Sequence, residues 1–428
     1  MPETPIVSPE TQKQIDALGS ADIVVGIPSY NNADTIGHVV RMAQAGIHQY
    51  YSSLRGIIVN SDGGSSDGTA EKVLEVPSDP DHAVVQLPYP VYPVHKLSTG
   101  YDGIPGKGSA FRTIFQIARH VGARVLIVFD SDLRSITPEW VRALADPILE
   151  KGYGFVAPYY TRHKFDGTIT NSIVYPLNRA LYGKRIRQPI GGDFAFSAPL
   201  LEVLVSKDVW TTDVARFGID IWVTTQAVVN GFNVCQAFLG AKVHNAKDPA
   251  SDLSAMLAQV VGSLFQETER NASVWQKVRS SEPVPIMGGV EAVSTEAVQV
   301  DVRRMVDSFV LGYKNLREIW ALAITPATML ELKKIAQTPP DRFRFPDETW
   351  VRVIYDFALS YRLRTINRDQ LLRALTPLYL GRVASFVTEM KDAGPEQVEQ
   401  QVEKLCLSFE AQKPYLISRW RWPDRFNP

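Results

Sequence analysis

Short apolar runs alternate with amphipathic stretches through the first half of this chain. The runs DIVVGIPSY (22–30), RGIIVNSD (55–62), AVVQLP (83–88) and RVLIVFDSD (124–132) are continuously apolar, and YGFVAPYY (153–160) is a weaker fifth. Helical spacing between them predicts helices over 33–46, 68–75, 108–121 and 137–150. Strands apolar on both faces, separated by such helices, imply a mainly parallel, Rossmann-like sheet covered on both sides. Ligands of these sheets bind beyond the carboxyl ends of the strands. Asp62 and the pair Asp130 and Asp132 stand at two such ends.

From about residue 250 the pattern changes to long helices. Val302, Met305, Val306, Phe309, Tyr313, Leu316 and Trp320 recur at helical spacing, as do Met256, Leu257, Val260, Val261, Leu264 and Phe265. Further helices are expected at 327–336, 347–363, 367–378, 380–392 and 395–411. SSEPVPIMGGVEAVS (280–294) reads as a linker or an active-site flap. YLISRWRWPDRF (415–426) reads either as a docking tail or as a tail packed on its own domain. The expected division is an α/β domain over 1–250 and an all-helical domain over 251–428.

Four constellations carry candidate chemistry. IPSYNNADTI (27–36) and VNSDGGSSDGTAE (59–71) put two polar turns side by side, with Asp62 and the backbone at Pro28 and Tyr30 suited to a nucleoside. Ser66 and Asp67 read better as helix caps. GIPGKGSAFR (103–112) opens a helix with Lys107 and free N–H groups, which suits a diphosphate, although it is not a Walker sequence. Asp130-Ser131-Asp132 offers hard oxygen ligands to Mg²⁺ or Mn²⁺, or a turn with a helix cap, and His244 in GAKVHNAKD is a further candidate ligand. Asp193 after Gly191-Gly192, and Asp220 in RFGIDIWVT, suit sugar hydroxyls or a base, or in the case of Asp220 a helix cap.

Composition narrows the class. Among 428 residues, 45 basic and 46 acidic side chains give a net charge of −1, which argues against a nucleic-acid partner. Two distant cysteines, Cys235 and Cys406, give no disulfide framework and fit a reducing cytoplasm. No apolar run is long enough to span a membrane, and the N-terminus lacks the pattern of a secretion signal.

The order of these motifs resembles a GT-A nucleotide-sugar glycosyltransferase. PGKGSAFRT, FDSDLRSITPEW, RQPIGGDF, FGIDIWVT and DLSAMLAQVVGSLFQE are similar to mannosylglycerate synthase and its glucosylglycerate-making relatives, as is FRFPDETWVRVIYDF (343–357). The resemblance runs from about residue 20 to about 390. It implies a GT-A catalytic domain followed by a helical region. Asp132 and His244 would ligate a divalent cation, Mg²⁺ or Mn²⁺. Asp130 and Ser131 would contact the donor, with Lys107, Asp62, Pro28 and Tyr30 in the nucleotide pocket. Asp130, Asp193 and Asp220 would be the catalytic carboxylates, Asp193 or Asp220 holding sugar or acceptor hydroxyls. YYTRHKFDGTITN (159–171) would be the acceptor loop, where Arg162, Thr168 and Thr170 meet a glycerate carboxylate.

Two departures bear on subtype. Phosphoglycerate-using relatives resemble Gly-Gly-Arg-Val-Thr where this chain has Asp166-Gly167-Thr168-Ile169-Thr170, and Lys247 stands where the mannosylglycerate enzyme has tyrosine. PSYNNADT, conversely, is similar to the phosphoglycerate branch. The resulting expectation is a retaining, cytoplasmic mannosylglycerate or glucosylglycerate synthase of compatible-solute synthesis, with a nucleotide-diphosphate sugar and D-glycerate as partners and a possible homodimer. Rival readings are a hexosyl-3-phosphoglycerate synthase, a sugar-phosphate nucleotidyltransferase and a non-catalytic nucleotide-sugar-binding protein.

Overall fold

The computed structural model describes residues 9–77, 94–101, 103–243, 253–289 and 300–423. In chain order the strands are β1 (Ile23–Ser29), β2 (Gly56–Asp62), β3 (His95–Gly100), β4 (Val125–Val128), β5 (Phe155–Thr161), β6 (Lys184–Arg185), β7 (Phe194–Ser197), β8 (Val234–Ala241), β9 (Glu282–Pro283) and β10 (Ile286–Met287). The chain divides into two compact units. One comprises Met1–Thr161, Gln188–Asn245 and Val284–Glu296; the other comprises Arg162–Arg187, Ala246–Pro283 and Ala297–Pro428.

The first unit is built on an eight-stranded sheet in the order β10-β8-β5-β7-β4-β1-β2-β3. Every pairing is parallel except those of β7 with β4 and with β5. The continuous apolar strands have two covered faces, as their composition requires. Ile23, Val25, Ile27, Ile58, Val125 and Ile127 share a buried cluster with Val39 and Val40 of the helix Ala33–Tyr51 and Trp140 and Val141 of the helix Pro138–Leu149. The alternate residues face the helix Lys107–His120, whose Ile114 lies so close to Gly26 that a Cβ there would collide with it.

The register concentrates polar residues at one edge. Ser29 pairs with Asp62, so β1 and β2 end together, and Gly26 pairs with Val128 at the end of β4. Because β7 runs antiparallel, Val128 also pairs with Phe194, so β7 begins where β4 ends. Asp130 and Asp193 are thereby neighbours although far apart in sequence. β3 and β7 were not anticipated, and the expected strand at 83–88 lies outside the described residues.

The second unit is mainly helical: Leu253–Arg270, Val302–Ala323, Pro326–Ala336, Asp347–Leu363, Arg368–Glu389 and Pro395–Arg421. It also takes in residues 162–187, which the expected boundary at 250 assigned to the first domain. The reason is packing: Trp350 Nε1 donates to Ser172 O, and the buried Arg179 pairs with Glu403 and Glu410 on the last helix. The expected helices 367–378 and 380–392 are one, because Pro377 is accommodated against Gly312 of a neighbouring helix. The last helix continues through Pro414 to Arg421, with Leu416, Arg419 and Trp420 buried and Trp420 edge-on to Trp275 at 5.2 Å. Through Arg421 the tail therefore packs on its own unit; 424–426 lie outside the described residues. Part of the expected 280–294 linker forms β9 and β10, and 290–294 likewise lie outside. Among the described residues no helix is long and apolar enough to cross a membrane.

Gly26→Val should lower stability by about 1–3 kcal/mol through overpacking against Ile114. A denaturant midpoint equal to the parent's would contradict this packing of sheet and helix.

Candidate functional site

Five charged side chains interlock at the carboxyl edge of the sheet. Asp130 follows β4 and receives Lys107 Nζ on Oδ1 at 2.8 Å and Lys242 Nζ on Oδ2 at 2.7 Å. Lys107 also meets Asp220 Oδ2 at 3.0 Å. Lys242 also meets Asp193 Oδ2 at 2.9 Å and donates to Gly191 O at 2.7 Å. Asp193 Oδ1 accepts from the Asp130 N–H at 2.9 Å, and its Oδ2 takes the Tyr160 hydroxyl. Lys242 lies over the Tyr160 ring, 5.2 Å from its centre.

Three carboxylates against two ammonium groups leave the cluster one negative charge in excess, and burial penalises each charge. Burial opposes ionisation of Asp130, but Lys107 and Lys242 outweigh it and hold its carboxyl well below the usual range. Burial likewise works against the Lys107 ammonium, and Asp130 and Asp220 outweigh it, so its pKa lies above the ordinary lysine value. Asp193 and Asp220 are pushed up, by burial first and by the Asp130 charge besides.

Local structure explains the glycines here. Gly192 has φ +90°, and a methyl group on it would run into the Asp130 carboxylate. Gly106 and Gly108 let the start of the helix Lys107–His120 lie against the backbone of 214–216, where Gly108 N donates to Arg216 O at 3.1 Å.

Several expectations change accordingly. Lys107, expected in the nucleotide pocket, is an ion-pair partner of Asp130 and Asp220, and its helix start is packed against the backbone of 214–216. Asp193, expected to hold sugar or acceptor hydroxyls, is fully buried with both oxygens engaged, one of them by the Asp130 N–H. Asp62 spends Oδ1 on Ser29 Oγ (3.0 Å) and Ser65 Oγ (2.7 Å), and Oδ2 on the N–H groups of Gly64 (2.9 Å) and Ser65 (2.8 Å). It organises its own loop, where a ligand contact was expected. Ser131 is buried and donates to Asn32 Oδ1. Asp220 lies in the first turn of the helix Ile219–Val229, and its side chain bonds Lys107, which removes the capping alternative. Its Oδ1 is buried with no partner among the described residues.

The two polar turns do lie side by side. Asn31 N donates to Ser65 Oγ at 2.8 Å, Asn32 N to Thr69 Oγ1 at 2.8 Å and Ala33 N to Asp67 Oδ2 at 3.0 Å. Pro28 is buried within β1, while Tyr30 is 64% exposed beside Gly63.

Asp132 differs from its neighbour. It is half-buried, and its carboxylate has no hydrogen bond or ion pair among the described residues. His244 lies outside the described residues. The chain just before it is tied to the Asp132 turn: Arg134 N donates to Val243 O, and Val243 N to Ser135 Oγ, both at 2.9 Å. Among the described residues no group of three acidic, histidine or cysteine side chains forms a metal site.

In the second unit Arg162 is half-buried and 3.6 Å from Asp166. Thr168 and Thr170 are buried, Thr168 sharing a 2.6 Å hydrogen bond with the Tyr379 hydroxyl, and Thr170 opens a π-helical turn, Thr170–Val174.

Residues 91–265 match the family model of the mannosylglycerate synthase GT domain. That match bears out the resemblance read from the motifs. It includes Lys107, Asp130, Asp132, Asp193, Asp220 and Lys242. Among solved structures, glucosyl-3-phosphoglycerate synthase from Mycobacterium tuberculosis, in complex with Mn²⁺, UDP and glucosyl-3-phosphoglycerate, is 22% identical with a TM-score of 0.44, covering 60% of this chain and 83% of that one. The same enzyme with Mn²⁺, UDP-glucose and phosphoglyceric acid is 20% identical with a TM-score of 0.44, covering 62% and 86%. No curated protein sequence matches the chain.

The residue that sequence reasoning missed in this GT-type domain is Lys242. A lone lysine carries no motif; only its place directly after β8, two residues before His244, marks it. Lys242→Met removes one of the two ammonium groups held by Asp130 and the ammonium group paired with Asp193, at an expected cost of about 3–5 kcal/mol. Asp130's depressed pKa gives stability that is present above the unfolded carboxyl value and lost as pH falls. The variant keeps the part due to Lys107 and lacks the part due to Lys242, so its deficit in denaturant unfolding should be fullest near neutral pH and shrink in acid. A deficit that grows in acid would refute the pairing.

Proposed function

We propose that the protein is a metal-dependent, retaining hexosyltransferase that moves mannose or glucose from a nucleotide-diphosphate sugar to D-glycerate in the cytoplasm, as a step in compatible-solute synthesis. The observation that carries this reading is the division of the Asp-Ser-Asp turn: Asp130 has both oxygens paired to lysines, and the Asp132 carboxylate has no partner among the described residues. A free, half-buried carboxylate at the carboxyl edge of the sheet fits a hard cation. The family match over 91–265 supports the reaction type.

Asp132 and His244 would hold the ion. Bound Mg²⁺ or Mn²⁺ supplies neutralisation of the leaving diphosphate. Tyr30 and the backbone at 28–30 cover the nucleobase. Asp130, fixed by Lys107 and Lys242, presents a preorganised negative edge to the donor. Asp220 Oδ1, buried and unpaired, accepts a hydrogen bond from a sugar hydroxyl, which satisfies an oxygen that otherwise carries a desolvation penalty. Arg162, with Thr168 and Thr170, takes the acceptor carboxylate. The departing phosphate accepts the proton of the attacking hydroxyl, so no side chain need act as the base.

The test is nucleoside-diphosphate release with Mg²⁺ or Mn²⁺ from GDP-mannose, GDP-glucose, UDP-glucose and ADP-glucose, with D-glycerate, 3-phosphoglycerate or no acceptor. Release that requires both metal and D-glycerate is expected. Release with 3-phosphoglycerate alone would transfer the protein to the phosphorylated-acceptor branch, and donor binding without release under any condition would make it a binding protein.

Asp132→Ala should reduce turnover at least ~100-fold, since several kcal/mol of charge stabilisation goes with a metal ligand. Its thermal unfolding should stay close to the parent's. Near-normal turnover would remove Asp132 from the metal site.

A further inference from the structure

The helix Ala33–Tyr51 begins in an unusual way. Asn32 occupies its N-cap, a position where an asparagine side chain ordinarily accepts an N–H from the first turn, yet it makes no capping bond. The capping work passes to the adjacent loop, where Asp67 Oδ2 accepts from Ala33 N. Asn32 Oδ1 is thereby released to accept from Ser131 Oγ at 2.8 Å, and from Tyr30 N at 3.2 Å. One turn on, Thr35 Oγ1 donates to Ser131 O at 2.8 Å. The residue between the two aspartates is thus held at both its hydroxyl and its carbonyl by one helix start.

We infer that Asn32, together with Thr35, is a positioning residue that fixes Ser131 and so aims the Asp132 carboxylate at the cation, linking the nucleoside-side turns to the metal side of the site. The inference rests on the metal reading of Asp132 given above. Asp132 makes no side-chain bonds of its own among the described residues, so its direction is set by backbone. On one side that backbone is Asp130, whose N–H is bound to Asp193; on the other it is Arg134, whose N–H is bound to Val243. Ser131 is the remaining link, and Asn32 also ties it to the nucleoside side, through Tyr30 N and through its own N–H on Thr69. Ligand-orienting partners of this kind are typically worth 10–100-fold in metal affinity or activity.

The experiment is direct Mn²⁺ binding to the full chain, followed by the electron paramagnetic resonance of the free ion, with and without UDP or GDP. The variants are Asn32→Ala, Asn32→Asp, Ser131→Ala and the double Asn32→Ala/Ser131→Ala. Asn32→Ala and Ser131→Ala should each weaken Mn²⁺ binding roughly tenfold or more, and the double variant should be no weaker than the worse single one, because both remove the same bond. Asn32→Asp keeps the acceptor oxygen and should recover most of the affinity. Should Asn32→Ala fail to fold, Ser131→Ala and Asn32→Asp carry the comparison. Parent-like affinity in the single variants, or losses that add in the double, would overturn the inference and leave the proposed activity standing. A parent protein that binds no Mn²⁺ even with nucleoside diphosphate would overturn both.

Discussion

Desolvating a carboxylate and an ammonium group costs several kcal/mol for each ion, and only close geometry recovers it. Asp130 recovers it twice, between Lys107 and Lys242, and the site is arranged around that requirement. Each lysine is shared with a second acid, Asp220 or Asp193, so neither side of Asp130 can move alone. Burial, with the Asp130 charge besides, raises the carboxyls of Asp193 and Asp220. Gly192 is the steric counterpart of this arrangement, because any side chain there would occupy the space of the Asp130 carboxylate.

Topology supplies the partners at no local cost. Lys107 comes from the helix before β4, Asp130 from the turn after β4, Lys242 from the end of β8 and Asp220 from a helix start. Asp193 reaches the same edge only because β7 runs against its neighbours. A fully parallel strand in that position would deliver its carboxyl end there, and Asp193, which precedes β7, would lie at the opposite edge. One reversed strand within a parallel sheet is therefore what allows an N-terminal residue to buttress residues that follow other strands.

Parts of this arrangement were legible in sequence. β1, β2 and β5 are runs whose burial is written in their composition, and the two polar turns follow from where β1 and β2 end. The Asp-Ser-Asp turn and the acids Asp193 and Asp220 were visible as chemistry, but their roles were not. Whether a carboxylate is free or paired depends on residues far away in sequence: Asp62 is satisfied largely by its own loop, Asp193 by Tyr160 and Lys242. Short β7 lacks a pattern of its own, and the assignment of 162–187 to the helical unit depends on long-range partners such as Trp350 and Glu403. The last two long helices run through Pro377 and Pro414, because packing along the rest of each helix outweighs the lost hydrogen bond.

The two aspartates of the turn then separate by environment, as paired carboxylates commonly do when one is to be neutralised and the other used. A cation placed on Asp130 would have to displace an ammonium group already within 2.8 Å of each oxygen. Placed on Asp132 it would displace no partner among the described residues. A charge-preserving change at Lys107 or Lys242 that loses the reach between two acids would therefore act first on the aspartates.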